Sequence, residues 1–287
     1  MLEQTYELAR GISIPKIGLG TWLLNDDQAK AAVIAAAQAG YRMIDTAQAY
    51  GNEAGVGAGV AACGVARENL FVASKVAAEH KSYAAAKASI DETLQKMGLD
   101  YLDQMIIHSP QPWKEVNQSA NRYEAENLEV WRALVEAQQA GEVRVIGVAN
   151  FLESDLENLL ANSSVAPQVD QVLAHIGNTP FNLIDFCRDR NILVEAYSPI
   201  AHGAALKIPA IAQMAARYQV SPAQLCVRYC LELGLLPLPK TANPDHIRNN
   251  AEVDFSISAE DMETLKSIAP VTDYGEGNRF PVFGGKL

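Results

Sequence analysis

The stretch Met43-Ile44-Asp45-Thr46-Ala47-Gln48-Ala49-Tyr50-Gly51-Asn52-Glu53 decides how the rest of the chain is read. A short apolar run ends on a carboxylate, and a tyrosine follows five residues later. Asp45 thus closes a predicted strand, and Tyr50 hangs from the loop behind it. A phenol with an ordinary pKa near ~10 is a weak acid at neutral pH, useful only beside a group that stabilises its anion. Its natural partners are a lysine and an imidazole at equivalent places further along.

Those places exist because the strand-then-helix pattern repeats. Residues 6–8 and 12–14, joined across Arg10-Gly11, predict a small hairpin. Predicted strands then cover 17–21, 43–45, 71–75, 101–107, 145–149, 169–173, 192–197 and 235–238. Helical patterns fall between them: 27–39 with Gly40 as stop signal, a helix to about Cys63 with Asn52 as N-cap, then 83–97, 123–140, 152–162 and 180–190. Two more, 208–218 and 221–233, precede the last strand, and 243–250 and 258–268 follow it. Eight βα units predict an α/β chain folded as a (β/α)8 TIM barrel, with an N-terminal β-hairpin and extra helices near the C-terminus. The loop 201–207 is too short to be a domain boundary, so residues 1–287 are expected to form one domain. The stretch 273–287, rich in glycine and aromatics, is expected to drape over one barrel end.

Composition narrows the function. With 49% hydrophobic and 20% charged residues, 287 residues are enough for a sizeable core. A net charge of −11 opposes binding to a phosphate backbone, so no nucleic-acid partner is expected. The N-terminus lacks a basic and then apolar leader, and no run approaches the ~18 apolar residues of a membrane span. A cytoplasmic protein with no membrane contact is the expectation, monomeric or weakly homo-oligomeric. Cys63, Cys187, Cys226 and Cys230 show no CxxC or His/Cys metal spacing and are expected as buried free thiols, with no metal site.

Asp45, Lys75 and His108 lie 30 and 33 residues apart, about one βα unit each, at the ends of successive predicted strands. In such a barrel the strand C-termini carry the active site. Lys75, held by Asp45, is expected to favour the Tyr50 phenolate and lower its pKa toward the working range. Tyr50 can then give a proton to a carbonyl oxygen that His108 orients. No side chain here is a convincing covalent nucleophile, which leaves hydride as the attacking species and a nicotinamide as its source.

With these motifs in order, Gly18-Leu19-Gly20-Thr21-Trp22, Ile44 to Glu53, Ser74-Lys75, Ile107-His108 and Leu238-Pro239-Lys240-Thr241, the chain resembles the aldo-keto reductase superfamily over nearly its whole length. The likeness extends to bacterial members such as the diketogluconate and glyoxal reductases. The resemblance implies a small carbonyl substrate reduced with NADPH, Tyr50 as general acid tuned by Lys75 and Asp45, and His108 orienting the substrate. It also implies Tyr197 stacked on the nicotinamide, Asn150 and Gln171 at its carboxamide, and Ser198 and Leu206 near the pyrophosphate. Lys240 and Thr241 would meet the ribose phosphate and Asn250 the adenine, while Trp22 and Trp113 would wall the substrate pocket. The same resemblance allows a rival, a barrel that binds the cofactor as a regulatory or channel-associated subunit with little turnover.

Three departures from the family pattern stand out. Gly147-Val148-Ala149-Asn150 has alanine where a serine is usual, which removes one hydroxyl contact worth about 0.5–1.5 kcal/mol. His246 stands where an arginine near the phosphate is common, and Asn249 where an acid is usual. A neutral imidazole grips a phosphate less than a guanidinium, so NADH use is also expected. Two further patterns are read as structural. Tyr83 and Lys87 are helix neighbours rather than a catalytic pair, and Gly57-Ala58-Gly59 lies inside a helix, where close packing explains it.

Overall fold

A computed structural model describes residues 1–287. Strands β1 (Thr5–Leu8) and β2 (Ile12–Pro15) form an antiparallel hairpin, turned through Arg10 and Gly11 at φ 65° and 66°. The hairpin caps the bottom of the barrel. Its Ile14 packs into an apolar cluster with Met43, Phe71, Ile106, Val145 and Leu236, and the Tyr6 hydroxyl donates to Leu235 O at 3.0 Å.

The barrel follows as β3 (Leu19–Gly20), α1 (Asp26–Gln38), β4 (Met43–Asp45), α2 (Glu53–Ala62), β5 (Phe71–Val76), α3 (Tyr83–Met97), β6 (Leu102–Ile107) and α4 (Glu124–Ala140). It continues with β7 (Val143–Ala149), α5 (Glu153–Asn162), β8 (Val169–Leu173), α6 (Phe181–Arg188), β9 (Leu193–Tyr197), α7 (Pro209–Arg217), α8 (Pro222–Glu232), β10 (Leu236–Leu238), α9 (Pro244–Ala251) and α10 (Ala259–Lys266). Strands β3 to β10 are parallel neighbours in chain order. They are buried on both faces, as in β6, where all six residues are buried, Asp103 and Gln104 included. The second hydrophobic layer, between strands and helices, centres on Trp131, Phe151 and Tyr229. No helix is long and apolar enough to cross a membrane.

Closure between β10 and β3 explains why the first strand is shorter than the expected 17–21. Only Leu19 and Gly20 pair with β4, while Gly18 and Gly20 turn their N–H groups to Pro237 O and Pro239 O at 3.2 and 3.1 Å. Pro239 has no N–H to return to Gly18, so that rung of the seam is bonded in one direction only. A Cβ at Gly20 would sit 3.1 Å from Leu238 O, so a side chain there would force the seam apart by a few tenths of an ångström.

Asn52 stands at the N-cap of α2, as expected, but its side chain makes no capping bond to the helix. Its amide instead donates to Thr21 O and Leu24 O, both at 2.9 Å, and its Oδ1 accepts from the Thr46 hydroxyl at 2.7 Å. Fully buried, it ties the loop after β3 to the loop after β4. The glycines of α2 are packing residues. A Cβ on Gly57 would fall 2.1 Å from Met97 O, and one on Gly55 would fall 2.3 Å from Asp26 O. Tyr83 on the outer helix α3 donates to Glu136 at 2.6 Å, far from any strand end. All four cysteines are free, three buried as expected, whereas Cys63 at the end of α2 is only partly buried. The tail from Gly275 to Phe283 folds as two short 3-10 turns, and Phe283 packs on Tyr274 at 4.6 Å between centroids and on Trp22 at 6.2 Å.

Because the α2–α3 contact is backbone against backbone, Gly57→Ala is expected to destabilise the chain by about 3 kcal/mol in chemical denaturation, with unchanged m. A loss below about 0.5 kcal/mol would refute that packing account.

Candidate active site

Three strand-end side chains and a tyrosine from the loop after β4 meet at the C-terminal mouth of the barrel. Asp45 ends β4 and Lys75 lies near the end of β5, both buried. The Lys75 ammonium donates to both Asp45 carboxylate oxygens at 2.7 Å and to Thr46 O at 2.8 Å. All three of its hydrogens are therefore used within the chain. The ammonium stands 5.1 Å from the centroid of the Tyr50 ring, which sits partly open on the 3-10 turn Gln48–Tyr50. His108, following β6, faces Tyr50 edge-on with centroids 5.5 Å apart. On its other side His108 meets Trp113 at 5.0 Å.

Burial sets the protonation states. It pulls the Lys75 ammonium down, but Asp45, Tyr50 and Glu195 outweigh it and hold the pKa above the ordinary lysine value. His108 is driven well below the usual imidazole range by burial and by the Lys75 charge, so the ring is neutral. Its Nδ1 is buried without a partner. Tyr50 departs from the sequence-based expectation. Lys75 does favour the phenolate, yet burial is the larger effect and Asp45 adds to it, so the Tyr50 pKa is raised. Sequence spacing gives the charge but not the desolvation. The result is a phenol that keeps its proton across the neutral range.

Tyr50 and His108 form one end of a cleft of about 450 Å³. Of the expected cofactor residues, the cleft brings together Asn150, Gln171, Tyr197, Ser198 and Lys240, along with both tryptophans, Trp22 and Trp113. The Tyr197 hydroxyl donates to Asn150 Oδ1 at 2.8 Å, while Asn150 Nδ2 donates to His108 O at 3.0 Å. Gln171 donates from Nε2 to Asp45 at 3.0 Å and to Glu195 at 2.7 Å, leaving its Oε1 free to accept. Lys240 sits on the closing seam opposite Gly20, with its pKa lowered by burial.

Leu206, Thr241, His246 and Asn250 lie outside the cleft lining. Leu206 is 37% exposed, Thr241 accepts from Asn243 N at 3.0 Å, His246 is exposed on α9, and Asn250 is buried. The structure adds residues that spacing did not indicate, among them His202, Phe280 and Pro281. His202 and Phe280 both pack edge-on against Trp22, at 5.7 and 4.8 Å. The only sequence signal for this wall is the aromatic content of the irregular tail. In the loop after β9, the cleft residues Ser198 and His202 and the buried Ala201 adopt φ of 50° to 54°, a costly conformation for residues with a Cβ.

Comparison with known proteins agrees with this geometry. The family model described as the aldo/keto reductase family matches residues 16–270. Glyoxal reductase of Bacillus subtilis is 37% identical over 269 residues, covering 93% of each chain. An aldo-keto reductase of Mycolicibacterium smegmatis is 36% identical over 259 residues, 90% of each. Among solved structures, an aldo/keto reductase from Brucella melitensis superposes with a TM-score of 0.85 at 34% identity, covering 92% of this chain and 98% of that one. A Bombyx mori aldo-keto reductase in complex with NADP gives a TM-score of 0.85 at 31% identity over 99% of both chains. With the barrel, the strand-end constellation and these matches in agreement, the chain belongs to the aldo/keto reductase family.

Proposed function

We propose that the chain reduces a small aldehyde or ketone to the alcohol with NADPH, and that Tyr50 delivers the proton. The observation that carries this reading is that protonated Tyr50 and neutral His108 line one end of a cleft, with the Asp45–Lys75 ion pair buried beside Tyr50. The donor set fits a nicotinamide cofactor. The free Gln171 Oε1 and the Asn150 side chain offer an acceptor and a donor to a carboxamide, Tyr197 offers a ring face, and Lys240 offers positive charge. The Bombyx mori relative, in complex with NADP, supports the same cofactor class. Bound there, the cofactor supplies hydride.

The residues of the chain account for the rest. A neutral His108 donates one hydrogen bond and orients the carbonyl oxygen. Tyr50 gives that oxygen its proton as negative charge develops, and Lys75 stabilises the phenolate left behind. Asp45 keeps Lys75 charged and fixed, while Trp22, Trp113 and Phe280 keep water away. The aromatic walls and the similarity to a glyoxal reductase favour small aldehydes, dicarbonyls and keto sugars.

Replacement of Tyr50 by Phe should lower kcat for methylglyoxal by about a thousandfold while NADPH binding, read by fluorescence, stays intact. Retention of a tenth or more of the activity would remove Tyr50 from the role. Bound NADPH that no aldehyde or ketone oxidises, even with Tyr50 present, would favour a cofactor-binding barrel without turnover.

At the adenosine end, His246 is exposed and Lys240 is the one lysine on the cleft lining. Michaelis constants for NADPH and NADH should therefore differ by less than roughly a thousandfold, NADPH being preferred. A larger ratio overturns the reading of His246.

A further inference from the structure

Directly below the catalytic pair lies a second buried carboxylate. Glu195 on β9 has no exposed surface, and its Oε2 accepts from Gln171 Nε2 at 2.7 Å. The same nitrogen donates to Asp45 Oδ1 at 3.0 Å. One amide nitrogen with two hydrogens thus bridges two carboxylates and joins Glu195 to the Asp45–Lys75 pair. The other Glu195 oxygen has no partner. Gln104 of β6 lies against Glu195 and eases its charge, yet neither amide atom of Gln104 reaches hydrogen-bonding geometry. Adjacent orphaned groups of this kind in a packed interior call for an explanation.

The charged and titratable groups around Glu195 are few. Asp45 faces it from β4 and Lys75 from β5, while Asp170, beside Gln171 on β8, also feels its charge. Strands β3 and β10 carry no titratable side chain, and the one on β7, Arg144, is paired with Asp103.

We propose that Glu195 is a positioning residue for proton delivery, which sets through Gln171 the charge that the Asp45–Lys75 pair presents to Tyr50. The inference rests on Tyr50 being the proton donor. Burial, reinforced by Asp45, pushes the Glu195 carboxyl up to about 7, so it changes charge in the neutral range. A neutral Glu195 leaves Lys75 opposed by Asp45 alone, and the positive field on Tyr50 is then strongest. An ionised Glu195 adds a second negative charge, and Tyr50 holds its proton more tightly. Gln104 can serve either state, its Oε1 accepting from the acid and its Nε2, after a flip, donating to the anion.

The test is the pH dependence of methylglyoxal reduction at saturating NADPH, for the parent chain and for Glu195→Gln. The parent kcat should fall about fivefold as the pH rises through the titration of Glu195, and Glu195→Gln should stay on the faster plateau. Equal inflections in both proteins, or none in the parent, overturn the proposal.

Thermal melts give a readout that needs no turnover. The folded carboxyl, at about 7, binds its proton more tightly than the unfolded one, at 4.5. Its favourable contribution is therefore full below 4.5 and is lost as pH rises toward 7. Over that window the parent should lose stability relative to Glu195→Gln, and parallel melting curves would overturn the account. Should Glu195→Gln not fold, Glu195→Met carries the same two readouts. If Tyr50→Phe reduces methylglyoxal as the parent does, the reading of the reaction fails. If Tyr50→Phe is inactive while Glu195→Gln titrates like the parent, only the role of Glu195 falls.

Discussion

The ion pair between Lys75 and Asp45 is the constraint on which the rest of the site depends. An ammonium 1% exposed cannot remain charged inside a barrel without a partner, and removal of either member of such a pair costs about 3–5 kcal/mol. Because the lysine spends all three hydrogens on Asp45 and Thr46, it acts on Tyr50 through its field rather than as a mobile donor. Burial, reinforced by that field, keeps His108 neutral, and burial keeps Tyr50 protonated against it.

Such a pair can exist only if the barrel closes around it. Gly18 and Gly20 let the first strand approach β10 across a seam where two prolines supply acceptors but no donors. The same seam carries Lys240, which lines the cleft, so closure and that positive charge share one backbone contact. Asn52 does comparable work at the mouth, spending its amide on the loops after β3 and β4 instead of on its own helix. Above them, Trp22 is gripped between His202 and Phe280 from loops distant in sequence. Strand ends hold Asp45, Lys75 and His108, and long loops shape the pocket.

Much of this was legible in the chain itself. Local periodicity and stop signals placed the eight βα units, because a strand buried on both faces and an amphipathic helix leave different spacings in sequence. Regular spacing of Asp45, Lys75 and His108 on successive strand ends identified the constellation, since each βα unit has a nearly fixed length. The glycines of α2 were correctly assigned to packing because they fall within a helix rather than at a strand-to-helix turn.

What sequence could not give depends on how far each group is removed from water and on which distant segments meet. The direction of the Tyr50 shift turns on desolvation against the Lys75 charge, a balance set by enclosure. The pocket wall of His202, Phe280 and Pro281 arises from segments with no period of their own. Glu195 reads as one more strand residue until β8 and β9 align in register and place it beside Gln171. The sequence by itself determined the order of the elements and the chemical types at the strand ends, both local properties. Tertiary structure alone decided burial, protonation and pocket shape, because these follow from contacts between residues far apart in the chain.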